Sequence, residues 1–312
     1  NVVAGKTVDK AGTGALAVQV GNADAAVDLT TIAGTAFASV TVTADVTFTG
    51  TLDDTVATSI NNGVTLTTTA AKVTAKTLSG SGTVAVTALD ATLAADLSNV
   101  SSTTVTAAFS ANGTFTGDLG TAVTTVASGV TMTAAASVAN GKTIGGGSGT
   151  VAVTALDATL AANLSTITAG TVTAAFSNDG TFTGNLGTAV TTVAAAKTLT
   201  TTAAIADGKT ITGASDGSIA ITALHSTLAA NLSGLTSSSG TVTAAFDGNG
   251  TFTGNLGTTV TTVATGVTMT AAANVVAGKT VDKAGTGALA VQVGNADAAV
   301  DLTTIAGTAF AS

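Results

Sequence analysis

Val84-Ala85-Val86-Thr87-Ala88-Leu89-Asp90 returns as Val151 to Asp157, and again as Ile219-Ala220-Ile221-Thr222-Ala223-Leu224-His225. A diverged copy, Leu16-Ala17-Val18-Gln19-Val20-Gly21-Asn22, precedes them. Counted from Asn22 to Asp90, Asp157, His225 and Asn295, the steps are 68, 67, 68 and 70 residues. The same spacing carries Thr-Phe-Thr-Gly segments at Phe48, Phe115, Phe182 and Phe252. Self-similarity at a fixed period is the mark of a repeat architecture, in which each unit buries its apolar face against the next.

A longer repeat encloses the shorter one. Residues 1–39 recur without a change at 274–312, so the long period is 273 residues. A chain with the same phase at both ends reads as a window on an array. Subrepeats fall near 16–83, 84–150, 151–218 and 219–288, and 1–312 is expected to be one continuous solenoid segment. Each subrepeat divides again into about three coils of about 22 residues, within the range of solenoid repeats. Asn231-Leu232-Ser233 and Asn255-Leu256-Gly257 open two of them.

Within a coil, short runs such as Thr104-Val105-Thr106, Thr114-Phe115-Thr116, Thr131-Met132-Thr133 and Thr198-Leu199-Thr200 alternate polar and apolar residues. That is the period of a strand with one buried face, and the branched Cβ atoms of Thr and Val suit it. Asn112-Gly113, Asn140-Gly141, Asp179-Gly180 and Asn249-Gly250 punctuate the runs as tight corners. The expected fold class is all-β: a parallel β-solenoid (β-helix) of short strands with short helical turns. One site for such a turn is Leu156, Leu160, Leu164 and Ile167, which fall at helical spacing, with Asp157 placed to cap. An irregular β-arc competes with the helix there.

Composition agrees. The 312 residues are 45% hydrophobic, 8% charged and 3% aromatic, with no Pro, Cys, Trp, Tyr or Arg. Disorder calls for the opposite balance. Coils stack about 4.8 Å apart, where like charges repel, so uncharged Thr, Ser and Asn suit the faces and can form stacked hydrogen-bonded ladders. The net charge of −8, without a basic cluster, argues against nucleic acid. No apolar run reaches the length of a membrane span, so no membrane insertion is expected. Without cysteine there are no disulfides and no thiolate metal sites.

Candidate chemistry is sparse. His225 is the only histidine, and Asp90, Asp157 and Asn22 stand at its place in the other subrepeats, so it reads as a solvated corner. No catalytic triad is expected around a single histidine at a variable corner, and no zinc site is expected from one histidine without cysteine. Gly-Lys-Thr at 5–7, 141–143, 208–210 and 278–280 has the ending of a phosphate-binding loop. The glycine required five residues earlier is replaced by Ala136, Ala203 and Ala273, leaving a corner that leads into a strand. Gly145-Gly146-Gly147-Ser148-Gly149 opens like a calcium-binding nonapeptide but is followed by Thr150 and Val151, not Asp. Asp28 and Asp96 alternate with Asn163 and Asn231, which suits a turn better than a hard-cation ligand. Thr-x-Thr pairs start at 104, 114 and 131; these offsets do not match the coil length, so a single flat ice-ordering ladder is not expected. Catalytic, cofactor-binding and metal-ligating residues are therefore each expected to be none, and no enzyme is predicted.

The phrases Gly-Lys-Thr-Ile-Thr-Gly (208–213), Gly-Thr-Val-Ala-Val-Thr-Ala-Leu-Asp (149–157) and Asp-Leu-Ser-Asn-Val (96–100) resemble those of giant bacterial β-strand-repeat surface proteins and haemagglutinin-like adhesins. The likeness spans essentially the whole chain. It implies export to the cell surface or extracellular space, and a structural role in a filament, sheath or surface layer. The alternative it implies is an adhesin stalk or a binding surface for glycan or ice. The expected partner is the chain itself, joined end to end or laterally, with cell-surface glycan as the second candidate.

Overall fold

The computed structural model describes residues 3–9, 11–145, 147–294 and 299–310, in two compact units: 1–152 with 166–172, and 153–165 with 173–312. Each is a parallel β-solenoid, as the repeats predict.

In the first unit, Leu16–Val20, Phe37–Val42, Thr58–Ile60 and Leu78–Gly80 form one parallel sheet. A second holds seven strands: Val46–Phe48, Thr65–Thr69, Thr83–Thr87, Thr104–Phe109, Val123–Val126, Ile144–Gly145 and Ile167–Thr168. Neighbours in this sheet are never consecutive along a hairpin; each strand pairs with one a full coil away, such as Thr83 with Thr104 and Ile144 with Ile167. Parallel pairing of this kind requires a crossover, and here the rest of the coil supplies it.

The second unit repeats the plan. Gly180–Phe182, Thr198–Thr202, Ser218–Thr222, Val242–Phe246, Val260–Val263 and Thr280–Lys283 make a parallel sheet, extended by a bridge from Thr280 to Ala306. Beside it run residues 173–176 with Val190–Val193, Ile211–Gly213 and Leu235–Ser237. Gly250–Phe252, Thr268–Ala272 and Ala288–Gln292 begin another sheet. Each long sheet starts at a Thr-Phe-Thr segment, at Phe48 in one unit and Phe182 in the other. The recurrence of this segment therefore marks where a new sheet opens.

The alternation of residues becomes an alternation of faces. Phe48, Phe115, Phe182 and Phe252 are fully buried, as are Phe109, Phe176 and Phe246 at the ends of the Ala-Ala-Phe strands. Burying one such ring contributes roughly 2–3 kcal/mol. The glycine after each Thr-Phe-Thr is fixed by packing: a Cβ on Gly184 would lie 2.1 Å from the carbonyl oxygen of Ala162 one coil earlier, and one on Gly117 would lie 2.0 Å from that of Ala95.

The helix suggested by the leucine spacing does not form. Leu156–Ala158 is a single 3-10 turn, Asn163 bridges to Asn185, and Ile167–Thr168 is a strand. The break is local: Ala155 enters the turn in the left-handed region at φ 52°, and Thr159 leaves it at φ −135°. Leu156, Leu164 and Ile167 are buried, whereas Leu160 is 37% exposed, so the four positions do not share a face. Short α-helical turns occur instead at Ala70–Val73, Ala136–Ala139, Ala203–Ala206 and Ala273–Val276, each after a strand. Their small first residues Ala70, Ala136, Ala203 and Ala273 are wholly buried, so the turn sits against the core where a larger side chain would not fit.

Candidate functional site

The polar residues singled out in the sequence recur in both units, where many of them connect one coil to the next.

Gly-Lys-Thr is such a connector. The Lys209 ammonium donates to the carbonyl of Gly187 at 2.6 Å, and Lys279 does the same to Gly257 at 2.6 Å. Lys142 reaches the carbonyl of Gly120 at 3.0 Å and also pairs with Asp118 Oδ1 at 2.8 Å. In all three cases donor and acceptor are 22 residues apart, one coil in sequence. The accepting glycines are held at positive φ, 55°, 58° and 59°, which turns their carbonyls outward at the corner. The lysine thus satisfies a backbone acceptor that the sheets leave unpaired. A signal for this was present in the sequence: each of these Gly-Lys-Thr motifs follows a Leu-Gly-Thr by the same interval, at Leu119, Leu186 and Leu256.

A second connector runs through Asx corners, three of them Asx-Gly and one Asp45-Val46. Asp45, Asn112, Asp179 and Asn249 each accept, through Oδ1, the backbone N–H of a threonine in the next coil: Thr65, Thr131, Thr198 and Thr268, all at 2.7 Å. Acid and amide serve equally because only the oxygen is used. The same tolerance explains Asp28, Asp96, Asn163 and Asn231. Each accepts the N–H two residues on, from Thr30, Ser98, Ser165 and Ser233, closing an Asx turn.

His225 belongs to a third connector. Asp90 Oδ1 accepts the N–H and hydroxyl of Ser110 at 2.7 and 2.8 Å. Asp157 does not cap a helix; it accepts the N–H of Ser177 and, through Oδ2, the amide of Asn178. In the next subrepeat His225 Nδ1 meets Asp247 Oδ1, with acid and partner exchanged between the coils. Ser226 Oγ lies 3.2 Å from Nε2, so serine, imidazole and carboxylate stand in a row that the sequence alone did not anticipate. Two equivalent places make the same coil-to-coil connection without an imidazole, which identifies the common role as bracing. Asn22 starts the exposed 3-10 turn Asn22–Asp24.

Hydrogen bonding lowers several of these acids below the usual carboxylate range. For Asp118 the Lys142 ammonium is the main cause, followed by the Gly120 N–H. For Asp90 and Asp157 partial burial pushes upward, but the donors on Ser110 and on Asn178 and Ser177 outweigh it.

In the glycine run 145–149, a Cβ on Gly145 would strike the Thr168 hydroxyl and one on Gly147 the carbonyl of Val126, so both glycines serve close packing. Gly146 lies outside the described residues. Among the described residues, no group of three or more His, Cys, Asp or Glu is placed to hold a metal ion. Nor is any helix there long and apolar enough to cross a membrane.

Threonines form files, though mixed ones. Outward residues stack as Thr47, Thr67, Ala85, Thr106 and Val123 in the first unit, and as Thr181, Thr200, Ala220, Thr243 and Val260 in the second. Of the Thr-x-Thr pairs, Thr114 does stack on Thr133, but Thr106 stacks on Val123. Many hydroxyls also turn to backbone: Thr68 to Phe48, Thr201 to Phe182, Thr125 to Ala107 and Thr192 to Ala174. Thr212 and Thr236 do meet hydroxyl to hydroxyl, at 3.3 Å.

Shallow depressions recur beside the helical turns. One of about 170 Å³ is lined by Gly117, Asp118, Ser137, Val138 and Lys142. Its counterpart, about 270 Å³, is lined by Gly184, Asn185, Ala204, Ile205, Asp207 and Lys209. No protein-family model, curated protein or solved structure matches this chain.

Proposed function

We propose that this chain is a structural repeat protein that forms or spans an extracellular filament, sheath or surface layer through association with further copies of itself. One observation supports this reading above the others: Lys142, Lys209 and Lys279, the Asx corners and the single histidine are used in bonds between successive coils. A chain that uses its scarce charged and imidazole side chains in this way serves the coherence of the stack. The uniform composition and the 273-residue repeat fit the same purpose, since an added period extends the same contacts. Electron microscopy of the purified chain over a range of concentrations tests it. Filaments or lateral sheets of this protein alone are expected; particles that stay single at every concentration reject the proposal.

A second reading, an adhesive surface for cell-surface glycan, draws on the recurrent depressions at Lys142 and Lys209. Glycan-array binding that weakens stepwise as each lysine is replaced by alanine would favour it.

A further inference from the structure

In the subrepeat that carries His225, four residues depart together from both of the subrepeats before it. Asp90 and Asp157 give way to His225, Ala91 and Ala158 to Ser226, Ser110 and Ser177 to Asp247, and Ala111 and Asn178 to Gly248. A brace between coils accounts for two of the four changes, since one donor and one acceptor suffice and the earlier pairs already supply them. It does not account for Ser226, whose equivalents Ala91 and Ala158 have no hydroxyl, nor for Gly248. All four meet at the imidazole. A Cβ on Gly248 would lie 2.6 Å from Cδ2 and 3.1 Å from Nε2 of His225, so glycine lets the ring rest against the backbone and keeps that side of Nε2 clear.

The hydrogen bonds fix which nitrogen holds the proton. A carboxylate only accepts, so the Nδ1 that faces Asp247 Oδ1 must donate. In the neutral ring Nε2 is then an acceptor, and the Ser226 hydroxyl 3.2 Å away donates to it. Hydroxyl, imidazole and carboxylate thus stand in the order that activates a serine, with the base on the hydroxyl and the carboxylate on the base. The His225 side chain is 34% exposed and Ser226 is exposed, so a reagent in solution reaches the hydroxyl.

We propose that Ser226 is an acyl-acceptor site, which takes an acyl group from an activated ester and holds it as a serine ester. Ser226 Oγ bonds to the carbonyl carbon while its proton passes to His225 Nε2. The C–O bond of the donor ester then breaks, and the departing oxygen takes up that proton. Nothing is oxidised or reduced. His225 is the base, and Asp247 is a positioning residue that holds its tautomer. The 273-residue period contains one such row, so the site recurs once per period, and it does not depend on self-association.

The full 312-residue protein is incubated with 4-nitrophenyl acetate at neutral pH. Acetylated residues are mapped by mass spectrometry before and after hydroxylamine, which removes serine esters and leaves lysine amides. Ser165 and Ser233 are internal controls, both exposed and hydrogen-bonded to an Asn Oδ1 in place of a base. Ser226 is expected to gain the hydroxylamine-labile acetyl group at least about tenfold faster than either, a modest share of what a positioned general base supplies. His225→Asn should bring Ser226 down to the control rate. Asp247→Asn should do nearly the same with little change in the urea midpoint, because the amide can donate to Nδ1 and turn the proton onto Nε2. Acetylation of Ser226 at the control rate, or a fast rate that either variant leaves unchanged, overturns the proposal and leaves the row as a brace alone.

Discussion

His225 and Asp247 are hydrogen-bonded across successive coils at the place where Asp157 and Ser177 make the same connection with the acid on the earlier coil. The two positions change together, so each brace retains one donor and one acceptor. His225→Asp alone would set a carboxylate against Asp247. For a pair this exposed the cost expected is roughly 0.5–1 kcal/mol. Adding Asp247→Ser recreates the arrangement of Asp157 with Ser177 and should recover most of the loss. Urea unfolding of the two single variants and the double variant gives the coupling; additive effects would contradict the shared role.

Gly184 has no room for a side chain. Its Cβ would lie 2.1 Å from the Ala162 carbonyl oxygen, which is backbone and cannot swing aside. Gly184→Ala should destabilise the second unit by about 2–4 kcal/mol, at the upper end for single substitutions. Gly208→Ala, at φ 66° with open space around it, should cost only about 1 kcal/mol of left-handed strain. Thermal unfolding of the two variants ranks them, and the reverse order would refute the packing account.

Thr124, Thr191 and Thr261 occupy equivalent strand positions, are fully buried, and have hydroxyls without a hydrogen-bond partner. An unsatisfied buried hydroxyl costs about 1–3 kcal/mol. Thr191→Val keeps the branched shape and removes the hydroxyl, so it should raise the urea midpoint. A lower midpoint would mean the hydroxyl is satisfied in solution.

Acid should loosen the stack. Asp90, Asp118 and Asp157 ionise more readily folded than unfolded, because the folded chain donates hydrogen bonds to their carboxylates. Groups shifted downward stabilise the fold above their unfolded value, about 3.9, and lose that contribution as pH falls through the folded value. Unfolding midpoints should hold steady near neutrality and decline below about pH 4. Asp118→Asn, which leaves the Lys142 bond to Gly120 in place, should flatten part of that decline.

The architecture was legible from the sequence because a solenoid turns sequence period into spatial period: Phe48, Phe115 and Phe182 recur in the text and are equivalent in the core. Strand alternation likewise placed Val105, Met132 and Leu199 inward. At 156–167 the irregular arc prevails over the helix, because helical periodicity presumes regular φ and ψ and Ala155 breaks that presumption with a left-handed backbone no composition signals. The turn at Ala203–Ala206 was invisible since four residues contain barely one helical period. The lysine connectors escaped for another reason: Gly-Lys-Thr was compared with a local loop motif, whereas its partner, the Gly187 carbonyl, lies a whole coil away.

The interchange of Asp45, Asn112, Asp179 and Asn249 at one corner bears on how the protein ages. Asparagine before glycine is the sequence at which the side-chain amide is most readily hydrolysed, and Asn112 and Asn249 both precede glycine. Simple deamidation there yields the residue that positions 45 and 179 already have, with the oxygen facing Thr131 or Thr268 unchanged. Only the isomerised product, whose backbone passes through the former side chain, would break the corner. Because that hydrolysis runs through a cyclic imide that opens mainly to isoaspartate, long-stored protein should lose melting temperature in step with isoaspartate at 112 and 249, and only the minor fraction that opens to aspartate keeps the corner intact.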